Sequence, residues 1–327
     1  MKDTDFLFLT SMLRARETAM LKEAKIDRML DAPAFDDAAK LLLECGYPDM
    51  SGMKMTELEG VLQKHRSDVF NELSSYKYAV DIVDLFRMKY DYHNVKVLVK
   101  SAGANADASY LLSESGSVGI KELTEAFISG QRGDLPPPIA SAIESAAGIL
   151  SRTGNPQLSD IEIDKVYFAE LASLAERLDD EFITGYVRLM IDSANLRITV
   201  RAARVGRDEG FLSNTLIPGG NVSADVIVSS YSDSVLSAFT ADALAQAVSL
   251  GGEAIAGGAQ TLFELACDNA VLFYVTNTMF ISFGPAPVIA YLAKLEWEIT
   301  AVRMILTGKL TGISPNVIRE RLRECHV

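Results

Sequence analysis

Cysteine and histidine are scarce in this chain of 327 residues, which contains three of each. Cys45, Cys267 and Cys325 lie far apart, and no CxxC pair occurs. Disulfide frameworks and structural zinc sites both need clustered ligands at short spacings. We therefore expect unpaired thiols in a reducing compartment and no metal site.

A surplus of basic residues is also missing, because the formal net charge is −13 and the pI is about 4.8. Nucleic-acid-binding proteins usually carry a basic surplus, so we do not expect nucleic acid as a partner. An acidic chain suits basic protein surfaces, such as the Lys- and Arg-rich cytoplasmic loops of membrane proteins.

The sequence has no uninterrupted membrane-length hydrophobic run. Asp3 and Asp5 acidify the region that would be positive in a signal peptide. Residues 270–293 carry no charge, but Gly284 and Pro285 interrupt them, and each part is shorter than the roughly 20 apolar residues that cross a bilayer. The pattern predicts two buried helices joined by a turn, with neither a signal peptide nor a transmembrane helix.

Nucleotide-binding and hydrolytic motifs are absent as well. There is no GxxxxGK followed by Ser or Thr, no HExxH and no GxSxG. The glycines of LGGEAIAGGA lack the strand and spacing of a dinucleotide-binding turn. An all-helical prenyl-transfer enzyme would need several Asp-rich motifs, whereas LDDEF (178–182) is a single acidic cluster, better explained as a solvated helix end. We predict a chain that is not an enzyme and binds no nucleotide or other cofactor.

Helical periodicity is what the sequence does contain. Apolar residues recur at spacings of three and four over residues 6–30, 56–100, 160–204 and 224 onward, with a break near Ser74 and Ser75. Neither repeated alternating strands nor strand–helix alternation occurs. The predicted fold class is all-α.

An internal repeat organises these helices. Residues 86–102 align with residues 187–203 without gaps, and residues 290–306 form a weaker third copy. Asp192 lies 101 residues after Asp91, and Glu298 lies 106 residues after Asp192. This period is far longer than a solenoid repeat of roughly 20–50 residues. We therefore predict three tandem helical domains, residues 1–107, 108–209 and 210–327.

The repeated positions are polar residues inside helices, which suggests a tertiary role because Asp and Asn are poor helix formers. One interpretation is that they bond across domain boundaries and set the angles between domains. The other is that some line a central surface that a partner helix enters. The candidates are Arg87, Asp91, Asn94, Lys96, Lys100, Arg188, Asp192, Asn195, Arg197, Arg201, Arg204, Glu298 and Arg303.

The C-terminal region, residues 283–322, resembles the end of the C subunit of archaeal and bacterial V-type ATPases, the counterpart of the vacuolar d subunit. The matching residues are Gly284, Pro287, Ala290, Tyr291, Leu292, Lys294, Glu296, Glu298, Arg303, Gly308, Lys309, Leu310, Ser314 and Pro315. The sequence departs from the family pattern at Ala286 and Trp297. The long first helix with Arg14 and Arg16 also fits.

The resemblance implies a funnel of three pseudo-threefold-related helical domains with no active site. In that family the wide end sits on the cytoplasmic face of the proteolipid ring, and the central cavity receives the central stalk subunits D and F. The chain would then be a peripheral protein that transmits torque for proton or sodium transport. The alternative is a helical scaffold of an unrelated complex, which copurification with the stalk or the ring would distinguish.

Overall fold

The structure, a computed structural model, describes residues 3–231 and 234–323. Every regular element in these ranges is helical, which confirms the all-α fold class. The α-helices are α1 (Leu7–Glu17), α2 (Glu23–Asp31), α3 (Phe35–Lys40), α4 (Met55–Ser74), α5 (Val80–Ala104), α6 (Ile120–Ser129), α7 (Pro137–Thr153), α8 (Pro156–Leu178), α9 (Glu181–Arg204), α10 (Glu209–Thr215), α11 (Ala224–Ser230), α12 (Ala245–Ile255), α13 (Gln260–Thr276), α14 (Ala286–Thr311) and α15 (Pro315–Arg319).

Local residue chemistry sets the helix ends. The break expected near Ser74 is confirmed, since α4 ends at that residue. The continuous helix expected over residues 160–204 is wrong, because α8 and α9 are separate. Asp179 adopts a left-handed conformation, with φ of 49°, and the Asp180 carboxylate caps α9 by accepting a hydrogen bond from the Ile183 N–H. The acidic cluster is therefore a helix end, as its sequence indicated.

Three long helices, α5, α9 and α14, each pack against an antiparallel neighbour. Helix α5 packs against α7 and α8, α9 packs against α12 and α13, and α14 packs against α3 and α4. In the pair of α14 and α4, the N-terminal part of the chain contacts its C-terminal part. Helix α8 also contacts α9, α13 contacts α14, and α14 contacts α5, so the packing contacts link the three long helices in a ring.

Two hydrophobic clusters form the core of the described residues. The larger extends over α1 to α9 and includes residues of α13, α14 and α15, and the smaller extends over α9 to α13. Helix α9 belongs to both, with Ile183 and Ile191 in the larger and Leu196 and Val200 in the smaller. This helix is buried on opposite faces, which explains why no single apolar stripe marks it.

The uncharged stretch at residues 270–293 forms the end of α13, a short connection and the start of α14, as its sequence predicted. None of the helices in residues 3–231 and 234–323 combines the length and apolarity needed to cross a membrane. The predicted domain boundaries, after residues 107 and 209, fall close to helix ends. The division into three domains and their funnel arrangement remain predictions.

Candidate functional site

The first Asp–Asn pair of the repeat holds the loop that follows α5. Asp91 is 1% exposed and accepts hydrogen bonds from the backbone N–H groups of Ser117 and Val118, each at 3.0 Å, and from the Ser117 hydroxyl at 2.7 Å. Asn94 exchanges two hydrogen bonds with the Ser113 backbone, at 2.8 and 2.9 Å. The two side chains thereby satisfy backbone groups that would otherwise be buried without partners.

The second pair repeats this arrangement on α9. Asp192 is fully buried and accepts hydrogen bonds from the backbone N–H groups of Asn221 and Val222, both at 3.1 Å. The Asn221 side-chain amide donates a third, at 2.7 Å. Asn195 exchanges two hydrogen bonds of 2.8 Å with the Ile217 backbone. In both copies, the long helix anchors the loop that leads into the next part of the chain.

The third copy anchors the N-terminal segment instead. Glu298 on α14 accepts hydrogen bonds from the Leu21 N–H at 2.5 Å and from the Tyr47 hydroxyl at 3.0 Å. Ala301 stands at the position of the repeated Asn and has no polar side chain to add. The anchored loop, which precedes α2, corresponds to the loops that precede α6 and α11. We call Asp91, Asp192 and Glu298 the anchor carboxylates.

Burial raises the pKa of each anchor carboxylate, and the hydrogen bonds from the loops oppose that rise. For Asp192, the charge of Arg188 also favours the ionised form and lowers the pKa. Arg87 donates hydrogen bonds to the Gly116 carbonyl at 3.3 Å and to Asn71 at 2.8 Å. The first bond holds the loop backbone at Gly116, and the second joins α5 to Asn71 on α4.

Two glycines also contribute to the anchors, although they were not among the candidate residues predicted from the sequence. A Cβ atom on Gly116 would overlap Asp91 Oδ1, and one on Gly220 would overlap Asp192 Oδ1. Only glycine lets the loop backbone approach the carboxylate so closely. The signal was available, because Gly-Ser-Val begins at residue 116 and Gly-Asn-Val at residue 220.

The repeated basic positions face acidic residues on the antiparallel helices. Lys96 and Lys100 on α5 pair with Asp164 at 2.5 Å and Asp160 at 3.1 Å, both on α8. Arg303 on α14 pairs with Glu59 on α4 at 2.7 Å. Each long helix is therefore bound to its neighbour by charge as well as by packing.

Helix α9 carries a basic stripe that faces α13 and consists of Arg197, Arg201 and Arg204. Arg197 contacts Glu264 at 2.8 Å and Asp268 at 2.6 Å. Arg201 also contacts Glu264, at 2.6 Å, and Arg204 donates a hydrogen bond to Gln260 at 3.1 Å. These side chains are engaged within the chain, and a role for any of them in partner binding stays a prediction.

The three copies line one cavity of about 360 Å³. Lys89, Met190 and Glu296 occupy equivalent positions of α5, α9 and α14 and all face this space. Its remaining wall includes the aromatic residues Tyr186 and Trp297. We call this space the axial cavity.

Glu296 is the best-connected charge in the axial cavity. It accepts hydrogen bonds from Arg66 at 2.8 Å and from the Tyr90 hydroxyl at 2.5 Å, and Lys89 lies 3.6 Å away. The guanidinium of Arg66 also stacks over the Tyr90 ring, 4.6 Å from its centroid. Although burial acts in the opposite direction, the nearby positive charges and the hydrogen bonds hold the pKa of Glu296 below its usual value.

Three residues that line the axial cavity were not among the candidates predicted from the repeat: Glu296, Trp297 and Asp268. Glu296 and Trp297 stand at positions equivalent to Met190 and Ile191, so the repeat does not mark them as polar. In the described ranges, no group of three or more His, Cys, Asp or Glu residues could hold a metal ion.

Known proteins similar to this chain include C subunits of V-type ATPases and A-type ATP synthases. The C subunit of the V-type sodium ATPase of Enterococcus hirae is 24% identical over 97% of this chain and 98% of its own length. The C subunits of the A-type ATP synthases of Methanocaldococcus jannaschii and Thermococcus kodakarensis are 22% and 24% identical, over 97% and 99% of this chain and 86% and 92% of their own lengths. The family model of the ATP synthase (C/AC39) subunit matches residues 9–321. The chain therefore belongs to the ATP synthase (C/AC39) subunit family.

Proposed function

We propose that the chain is a non-catalytic component of a V- or A-type rotary ATPase that joins the central stalk, subunits D and F, to the proteolipid ring and transmits torque between them. It would lie peripherally at the cytoplasmic face of the membrane. The names of its relatives support membership of such a complex.

The axial cavity is the observation that carries the proposal. Equivalent positions of α5, α9 and α14 converge on it, so the three long helices border one common site. Such a site suits a partner that enters along the axis of the molecule. A coupling protein needs this geometry because torque must be received near the axis of rotation.

Rigidity is the second requirement, because torque is lost in a part that deforms. Each long helix is held by an anchor carboxylate, by at least one ion pair to its antiparallel neighbour and by apolar packing. Buried, fully bonded polar groups of this kind restrict a fold to one arrangement. The repeated contacts therefore suit a part that turns as one body.

Exposed apolar side chains occur at both ends of the long helices. Near the end where α5 begins, Phe8 is 69% exposed and its ring lies 6.0 Å from that of Tyr76. At the opposite end, Val205 follows α9 and is also 69% exposed. Helix α9 has 24 residues, about 36 Å in length at 1.5 Å per residue. Phe8 and Val205 therefore mark two separated surfaces, at which contacts with different partners can be tested.

Site-specific photo-crosslinking tests the proposal in the membrane-bound complex. A benzophenone side chain placed at Phe8 or at Val205 should capture the proteolipid from one position and a stalk protein from the other. Capture of neither partner would favour the helical scaffold of an unrelated complex. ATP hydrolysis by the purified chain would refute the non-catalytic part of the proposal.

A further inference from the structure

The segment after α15, residues 320–323, returns to the axial cavity. The Trp297 indole N–H donates a hydrogen bond to the Arg323 carbonyl at 3.0 Å. The Arg323 guanidinium contacts Asp268 at 2.8 Å, and Leu322 packs against the larger core. We call Trp297 and Asp268 the seat of this segment.

The seat connects two walls of the cavity. Trp297 belongs to α14, and Asp268 belongs to α13 and is also bound by Arg197 of α9. Arg323 itself lines the cavity. The segment thus forms part of the cavity wall with a backbone carbonyl and a cationic side chain.

The segment occupies the binding groups of the seat, because the Arg323 carbonyl accepts the indole N–H and the Arg323 guanidinium pairs with Asp268. A partner could contact these groups only if the segment moved away. The seat would then present the Asp268 carboxylate and the indole N–H to that partner.

We propose that residues 320–323 are an internal competitor for the partner of the axial cavity, and that this partner binds the seat with a basic helical tip. The inference rests on the proposed function, in which the partner is the central stalk. The segment shows which chemistry the seat accepts: a cation on Asp268 and a hydrogen-bond acceptor on the indole. The net charge of −13 favours the approach of a basic partner.

Trp297 is the only tryptophan of the chain, which makes it a specific probe of the seat. Incorporation of 5-fluorotryptophan gives a single fluorine resonance, even when stalk proteins with tryptophans of their own are added unlabelled. Arg323→Glu places a negative charge beside Asp268 and should release the segment. Arg321→Glu is the matched control, since it makes the same charge change at an exposed side chain two residues away.

In the free chain, Arg323→Glu should shift the Trp297 resonance, and Arg321→Glu should leave it in place. The D–F complex of the same organism should bind Arg323→Glu about tenfold more tightly than Arg321→Glu, the contribution of one hydrogen bond and one partly exposed ion pair. In the Arg323→Glu background, where the segment no longer uses Asp268, Asp268→Asn should weaken binding, because it removes the group that receives the partner's cation. Glu264→Gln, which removes another partner of Arg197, is its control.

Saturating D–F should also move the Trp297 resonance of the unsubstituted chain, as the segment leaves the seat. Equal affinities for Arg323→Glu and Arg321→Glu would overturn the competition while leaving the proposed function intact. An unshifted Trp297 resonance in Arg323→Glu would overturn the seat itself. Absence of D–F binding by every variant would instead refute the proposed function, and the competition with it.

Discussion

Replacing Asp192 with alanine removes the acceptor that holds the loop between α10 and α11. The backbone N–H groups of Asn221 and Val222 then lose their hydrogen bonds to the carboxylate. Each lost bond to a backbone donor costs about 1–1.5 kcal/mol. The exposed Asn221 side-chain amide can turn to water and adds little. We therefore expect Asp192→Ala to lower the free energy of unfolding by about 2–3 kcal/mol.

Urea unfolding at pH 7 measures this loss, and hydrogen exchange locates it. The amides of Asn221 and Val222 should lose protection before the amides in the middle of α9 do. Glu253→Ala is the control, because Glu253 is an exposed carboxylate on α12. If Asp192→Ala costs no more than this control, or if protection of the two amides is unchanged, the anchor does not hold the loop.

A double-mutant cycle tests the same geometry independently. Gly220→Ala places a Cβ against Asp192 Oδ1, and overpacking of this kind costs about 1–3 kcal/mol. In the Asp192→Ala background the colliding oxygen is gone, so Gly220→Ala should cost at least about 0.5 kcal/mol less. Strictly additive effects would contradict the close approach of this loop to α9.

Two further predictions concern neighbouring glutamates of α14. Glu296→Ala should lower the free energy of unfolding at pH 7 by about 3 kcal/mol, because the buried Arg66 loses its partner. The control, Asp68→Ala, breaks an exposed pair with Lys64 and should change this free energy by less than about 0.5 kcal/mol. Because the pKa of Glu296 is lowered in the fold, its contribution is present above the ordinary pKa of 4.5 and is lost as pH falls through the folded value. The opposite sign holds for Glu298, whose pKa is raised: the unfolded chain ionises first, so the unsubstituted protein should lose stability relative to Glu298→Gln as pH rises above 4.5. Urea titrations at several pH values check both slopes, and parallel slopes for Glu296 and Glu298 would contradict the two environments.

The all-helical fold and the repeated polar positions could be predicted because both follow from short-range patterns. Asp91 and Asn94 stand out in a helix interior, and their recurrence at Asp192 and Asn195 marks them as important. Their partners could not be predicted in the same way. Asn94 bonds the backbone of a serine and Asn195 that of an isoleucine. Because backbone groups are common to all residues, the loops carry little sequence signal of being bound.

The axial cavity was harder to foresee for a different reason. Lys89, Met190 and Glu296 occupy equivalent positions, yet one is cationic, one apolar and one anionic. Lys89 and Glu296 lie 3.6 Å apart, so the charges of these two copies attract each other where the copies meet. Charge complementarity between copies therefore hides the repeat at the positions where the copies meet.

The contact between Leu21 and Glu298 also affects how the chain folds during synthesis. These residues are 277 positions apart in the sequence, and Glu17 and Lys294, which also bond, have the same sequence separation. At about 5–20 residues per second, the ribosome needs about 14–55 s to produce α14 after the first helices have emerged. During that interval α3 and α4 lack the surface that covers them. The earliest part of the protein to leave the ribosome is thus among the last to be completed, and it should depend most on chaperones.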